Sequence, residues 1–311
     1  MIKIHFCWPF LNKIKEEGEC YEFLIRLQKH PDVKLVDTFE QADYIIFMMD
    51  TRNCWNLPQR SMKFNQSVVE KIKRHKDYHK DIIVDYDDYT DLRNVEPEIL
   101  DKVFLYFKRS IVDKKLMKVI KYEREVRFIS YGVRTDFIDY DKTIGTPKFE
   151  YDICCMFNLK ERQSKMREKI PHVVNEYPGK KHVGFVTGGR YHSRYKDVIT
   201  EYYDIMKKSK IIVTANPPHW EGDFRLWEAL LTGNLVMCDR MVMSDKVNLV
   251  NKKHLVFYKD MEELRKLIDY YTKNEKEREE IGRNGREFVL KKHKFSDRVD
   301  YVVNCILEKS K

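Results

Sequence analysis

Between Asp223 and Gly233 the chain reads DFRLWEALLTG, and Asp223, Arg225 and Glu228 are side chains a core has no use for. Asp223 stands where a helix start would need a cap, and Arg225 falls in the first turn. A capped helix start presents unpaired backbone N–H groups and the positive end of the helix dipole; with a guanidinium beside it, that volume suits a diphosphate. The carboxylate of Glu228 is useful near phosphates only as an acceptor for hydroxyls, and a ribose supplies two. The plainer alternative is an i,i+3 Arg–Glu pair on a solvated face, worth roughly a few tenths of a kcal/mol.

Three other stretches carry chemistry-bearing residues. Thr187–Tyr195, reading TGGRYHSRY, has Gly189 to let backbone approach a ligand closely, and Arg190 and Arg194 to set charge against a leaving diphosphate; a flexible surface turn is the alternative. Asp85-Tyr86-Asp87-Asp88-Tyr89 follows the apolar run Ile82–Val84, where Asp87 could act as general base on a hydroxyl, or the acids could simply form a solvated turn. Phe107-Lys108-Arg109-Ser110 ends another run, its cations facing either a cleft or solvent. His75 and His79 have helical i,i+4 spacing among charges with no third ligand nearby, so no metal is expected there. Near the amino end, Trp8 either stacks on a sugar or caps the core, and the latter is preferred.

The elements that must position these residues alternate. Strands are expected at Ile2–Cys7, Val33–Val36, Ala42–Met49, Ile82–Tyr86, Val103–Phe107 and Val126–Ser130, with helices at Glu19–Lys29 and Gln66–His75. Runs apolar on both faces, such as Ala42–Met49, suit a helix-covered parallel sheet. The pattern lapses across Asp139–Tyr151, which contains Gly145 and Pro147, and this is taken as the domain boundary. Alternation then resumes through strands Asp152–Phe157, His182–Val186, Lys210–Ala215, Leu235–Asp239 and His254–Tyr258. The interleaved helices are expected near Arg162–Lys169 and at Asp197–Lys207, Met261–Lys273, Lys276–Lys291 and Ser296–Lys309. The expectation is α/β: two Rossmann-like doubly wound domains, residues 1–140 and 150–295, facing across a cleft, with 296–311 as a helix packing back on the first.

Composition agrees with two cores. A chain of 311 residues that is 42% hydrophobic suits two domains of about 150 residues each. The net charge of +9 comes from 59 basic and 50 acidic residues with no long single-sign block, so most of it reads as ordinary soluble surface with local phosphate binding left open. Seven cysteines without a CxxC pair, several inside apolar runs, suit free thiols in a reducing compartment. No apolar run approaches the roughly 18 residues of a membrane span and the opening Met1–Ile4 suits a strand, so a cytoplasmic protein is expected. GxxxxGK[ST], GxGxxG and GxSxG strings are absent.

The run Phe224–Val236 followed by Asp239 resembles the carboxyl-domain signature of GT-B glycosyltransferases, nearest to exostosin-like and CgeB-like groups. Ile281–Arg286 followed by Phe295-Ser296 is similar to the closing helices of those enzymes. The resemblance spans roughly residues 150–311. It implies that Arg225 contacts the donor diphosphate and Glu228 the ribose. Many retaining members have two glutamates eight positions apart, whereas Glu221 and Glu228 are seven apart, which leaves the role of Glu221 and the stereochemistry open.

The resulting expectation is a metal-independent glycosyltransferase, a hexosyl- or pentosyltransferase, moving a sugar from a UDP- or GDP-sugar to a hydroxyl of a glycan or glycoconjugate. The donor would be held by Gly189, Arg190, Arg194, Asp223, Phe224, Arg225 and Glu228, with Asp87 and then Glu221 as candidate bases. No cofactor, divalent metal or nucleic-acid partner is expected. The alternatives are a non-catalytic nucleotide or nucleic-acid binder, and a metal-dependent GT-A-like transferase using Asp85 and Asp87 as a DxD-type site.

Overall fold

The computed structural model describes residues 1–7, 19–49, 70–75, 78–86, 97–100, 102–109, 126–156, 165–184, 195–216, 222–241 and 247–311. The chain divides into two compact units, one of Met1–Ser130 with Phe295–Lys311, the other of Tyr131–Lys294.

The first unit is built on six parallel strands: β1 (Ile2–Cys7), β2 (Val33–Leu35), β3 (Tyr44–Met49), β4 (Asp81–Asp85), β5 (Leu105–Lys108) and β6 (Val126–Phe128), in the order β2-β1-β3-β4-β5-β6. The central strands are apolar on both faces because both are covered: Ile45 to Met49 and Ile82 to Val84 are fully buried. Helices α1 (Glu19–Gln28) and α2 (Pro97–Leu100) belong to this unit, and so does the terminal helix Phe295–Lys309. Phe295 anchors that helix, stacking on Tyr86 at 6.0 Å and meeting the edge of Phe23 at 6.4 Å.

At the carboxyl ends of β4 and β5 two motifs that the sequence kept apart become one. Asp85 is in register with Lys108 and accepts its Nζ at 3.3 Å, and the Tyr106 hydroxyl donates to the other carboxylate oxygen at 2.5 Å. Asp85, Lys108 and Arg109 are all fully buried, so neither string is a solvated turn at these positions. Buried charges of this kind persist only when paired. Asp87, Asp88 and Ser110 lie outside the described residues.

The second unit carries five parallel strands: β7 (Tyr151–Cys155), β8 (Lys181–Val183), β9 (Ser209–Thr214), β10 (Leu235–Asp239) and β11 (Val256–Tyr258), ordered β11-β10-β9-β7-β8. Helices α3 (Thr135–Ile144), α4 (Lys165–Glu176), α5 (Tyr195–Lys207), α6 (Phe224–Leu231), α7 (Met261–Lys273) and α8 (Glu275–Lys292) surround it. Ile153, Ile211, Val213, Leu235, Met237 and Val256 point to one face and pack against Ile170 and Val174 of α4 and Leu264 and Ile268 of α7. From β7 the chain steps first to β8 on one side and then to β9 on the other, so the switch point lies between β7 and β9.

Helix α3 runs into the stretch Asp139–Tyr151 that looked aperiodic. Its buried residues are Phe137 and Asp141, and an acid in place of an apolar residue on the inner face hides the helical period. In α8, a Cβ on Gly282 would lie 2.3 Å from the Gly233 carbonyl oxygen, and one on Gly285 would lie 2.4 Å from that of His254. Only hydrogen fits at those positions, which gives the paired glycines a packing role.

Candidate functional site

The site is built on the amino end of α6, which follows β9 at the switch point. Asp223 is its N-cap: the carboxylate accepts the Leu226 N–H at 3.1 Å, so one donor of the first turn is satisfied. The same carboxylate takes Arg225 Nη1 at 2.8 Å and Arg167 Nη2 at 2.5 Å. Arg167 comes from α4, the helix after β7, and its Nε also donates to the Ala215 carbonyl at 2.9 Å, at the end of β9. One guanidinium therefore ties together both elements that leave the switch point.

A second tie runs across to β10. The Asn216 backbone N–H donates to Asp239 Oδ1 at 2.8 Å, while its side-chain oxygen accepts the Asp223 N–H at 3.2 Å. Gly222, at φ 123, gives the turn into the cap a backbone conformation that side-chain-bearing residues avoid. The result is a connected frame from Asp239 through Asn216 and Asp223 to Arg225 and Arg167, with two guanidiniums against one shared carboxylate at a helix amino end.

Arg225 and Glu228 are 6% and 5% exposed, so they are not the solvated i,i+3 pair that spacing alone allowed. Burial pushes the Glu228 carboxyl up to about 8, against the opposing pull of Arg134, Arg225 and the Tyr202 hydroxyl, and with the help of Asp223. At neutral pH it is largely a neutral carboxylic acid, able both to donate and to accept. Burial likewise raises Asp239 to about 6, opposed by the Asn216 N–H, the Cys238 thiol and Arg167. Phe224, partly buried, meets the edge of Tyr131 at 5.9 Å.

The carboxyl end of α6 is fastened as firmly. Lys207 Nζ donates to the Thr232 carbonyl at 2.9 Å, and Arg286 Nη1 donates to the Leu231 carbonyl. Cations at that end satisfy orphan carbonyls and favour the negative end of the dipole. Asp141 balances them, accepting from Lys207 at 2.8 Å, from the Tyr203 hydroxyl at 2.7 Å and from Arg286. Burial raises its carboxyl, but hydrogen bonds from Arg286, Lys207 and Tyr203 outweigh this and leave its pKa lowered.

Of the residues singled out from sequence, Asp223, Phe224, Arg225 and Glu228 are brought together on α6. Asp87, Gly189, Arg190, Arg194 and Glu221 lie outside the described residues. Sequence reasoning missed Arg167 as part of this frame and Arg134 as a charge acting on Glu228. Arg167 looked like one more charge in KMREK, and its partner is 56 residues away.

Residues 162–304 match the model of a family described as glycosyl transferase-like. No curated protein matches the chain in sequence. Among solved structures, the chain is similar to sucrose-phosphate synthase from Thermosynechococcus elongatus, with a TM-score of 0.63, 10% identity and 98% of each chain covered. It is similar also to HepE of Anabaena in complex with UDP-glucose, with a TM-score of 0.58 at 12% identity, over 99% of this chain and 100% of that one. A third is an alpha-glucosyltransferase in complex with UDP-glucose and DNA containing an abasic site, with a TM-score of 0.62 at 10% identity, over 98% of this chain and 99% of that one. The fold is therefore GT-B, two parallel-sheet α/β units, and the segment matched by the glycosyl transferase-like model contains the whole frame from Arg167 to Asp239.

Proposed function

We propose that this protein is a glycosyltransferase that moves a sugar from a nucleotide-sugar donor to an acceptor hydroxyl, with the donor held by the second unit. The observation that carries the reading is the amino end of α6 at the switch point, where Arg225 and Arg167 converge on the Asp223 cap. A diphosphate at that end would meet backbone N–H groups, the positive helix end and guanidinium charge. The acceptor oxygen forms a bond to the anomeric carbon, the bond from that carbon to the diphosphate breaks, and the nucleoside diphosphate leaves with the electron pair. Stabilising that departing charge is what this part of the chain is built to do.

Within this reading Glu228 serves the ribose, and Gly189, Arg190 and Arg194 add to the diphosphate site. Asp87, then Glu221, takes the proton of the acceptor hydroxyl. The exostosin-like or CgeB-like subtype, transfer without a metal, and a role for the first unit in acceptor binding belong to the same proposal. HepE and the alpha-glucosyltransferase were solved with UDP-glucose, which makes UDP-sugars the first donors to try.

The test is a thermal-shift panel of nucleoside diphosphates and sugar nucleotides, followed by calorimetry on any that respond. A ligand at 100 times its Kd should add about 2.7 kcal/mol of stability. Stabilisation by one nucleotide class, and sugar release unaffected by EDTA, are the expected outcomes; no response to any nucleotide would overturn the proposal, and a strict manganese requirement would overturn its metal-free form. DNA as acceptor is the second reading, favoured by the net charge of +9 and by the DNA in the third similar structure. Binding that falls steeply with salt would support it.

A further inference from the structure

The Asp239 carboxylate is unevenly used. Oδ1 accepts the Asn216 backbone N–H at 2.8 Å, the Asn216 side-chain amide at 3.4 Å and the Cys238 thiol at 3.4 Å. Among the described residues none donates to Oδ2, and the side chain is partly exposed at the carboxyl end of β10. A carboxylate has about four lone-pair positions, so half of this one is fixed in the frame and half takes no donor from the described residues.

Packing alone does not account for an acid here. An asparagine oxygen would accept the Asn216 N–H equally well and would spare the fold a carboxylate that burial pushes up to about 6. The described neighbouring groups do not complete it either. Arg167 on α4 favours its charge, Asp223 before α6 opposes it, and Cys238 and Tyr258 are held neutral by burial. What Oδ2 would face follows from its place in the frame, one asparagine away from the Asp223 cap and Arg225. A carboxylate cannot face a phosphate oxygen, since like charges repel at that range. It can face the hydroxyl-bearing part of the ligand next to the phosphates.

We propose that Asp239 accepts hydroxyl hydrogen bonds from the transferred sugar of the donor through Oδ2 and thereby selects which sugar is admitted. The inference rests on the donor reading above, and its test separates the two. Nucleoside diphosphate and sugar nucleotide affinities are measured by calorimetry for the wild-type chain, Asp239→Asn and Asp239→Ala, using UDP with UDP-glucose and GDP with GDP-mannose. Asparagine keeps an oxygen for Asn216, so the frame stays. With a charge-assisted hydrogen bond about twice as strong as a neutral one, Asp239→Asn should weaken the sugar nucleotide about tenfold and the nucleoside diphosphate less than about twofold. Asp239→Ala should lose at least as much.

In the wild type the extra affinity given by the sugar should grow as pH rises through about 6, and this growth should vanish in Asp239→Asn. Unchanged sugar nucleotide affinity in both variants, or equal weakening of both ligands, would overturn the role of Asp239 while leaving the donor site intact. A wild-type chain that binds no nucleoside diphosphate would overturn the donor reading itself.

Discussion

Arg167 and Asp223 are 56 residues apart in sequence and 2.5 Å apart in the second unit, where their ion pair joins the helix after β7 to the cap of the helix after β9. Removing the shared carboxylate would leave two buried guanidiniums without their partner and α6 without its cap. Asp223→Ala should therefore cost about 3–5 kcal/mol, the range for breaking a buried pair. Asp223→Asn keeps the cap oxygen and should cost visibly less. Urea unfolding of both variants checks the order, and equal small losses would contradict it.

Glu228 gives a pH prediction with a definite sign. Its folded value of about 8 lies above the ordinary value of 4.5, so the native state holds the extra proton between those two values. Stability must fall as pH rises across that window. Glu228→Gln removes the dependence and should be the more stable protein above pH 8. Melting temperatures between about pH 5 and about pH 9 would display the crossing.

Asp141 has the opposite sign. Its carboxyl is held below the ordinary 3.8 by Arg286, Lys207 and Tyr203, so its contribution is complete above 3.8 and is lost as pH falls through the lower folded value. Asp141→Ala strands Lys207 and should cost about 3 kcal/mol at neutral pH. Acid titration of wild type and variant, followed by fluorescence, would show the wild type losing its advantage only at the acid end.

Gly282→Ala tests the seating of α8 on the segment after α6. The added methyl carbon would lie 2.3 Å from a backbone oxygen, so the helix itself must shift. Overpacking costs about 1–3 kcal/mol when side chains can give, and the upper end is expected here because backbone is what must move. Denaturant midpoints of Gly282→Ala and Gly285→Ala measure it; a neutral Gly282→Ala would mean that α8 is seated less closely.

Much of the fold was legible for a plain reason. Strands such as Tyr44–Met49 and Ile211–Thr214 are covered on both faces, and that burial writes an unbroken apolar run into the chain. Asp223 was legible as a cap because capping is a local relation, satisfied by Leu226 three residues on. Arg167 and Asp141 were not, since their burial depends on partners brought from elsewhere and nothing beside them in sequence marks it. Helix α3 was missed for that reason: the acid on its inner face is neutralised by Lys207 and Arg286, which the local pattern cannot report. The same limit hid the meeting of Asp85 with Lys108, two strings on adjacent strands that only the sheet register joins.

Helix α6 is pinned at its first residue by Asp223 and at its last turn by Lys207 and Arg286. Its negative pole is already answered by cations of the protein, and at the other pole two guanidiniums share the carboxylate that caps it. The direction of its field is thus set before any ligand arrives, and an anion meeting that end would find dipoles that need not turn. What this geometry saves is reorganisation energy, the cost that water must meet at each event and a fastened helix does not.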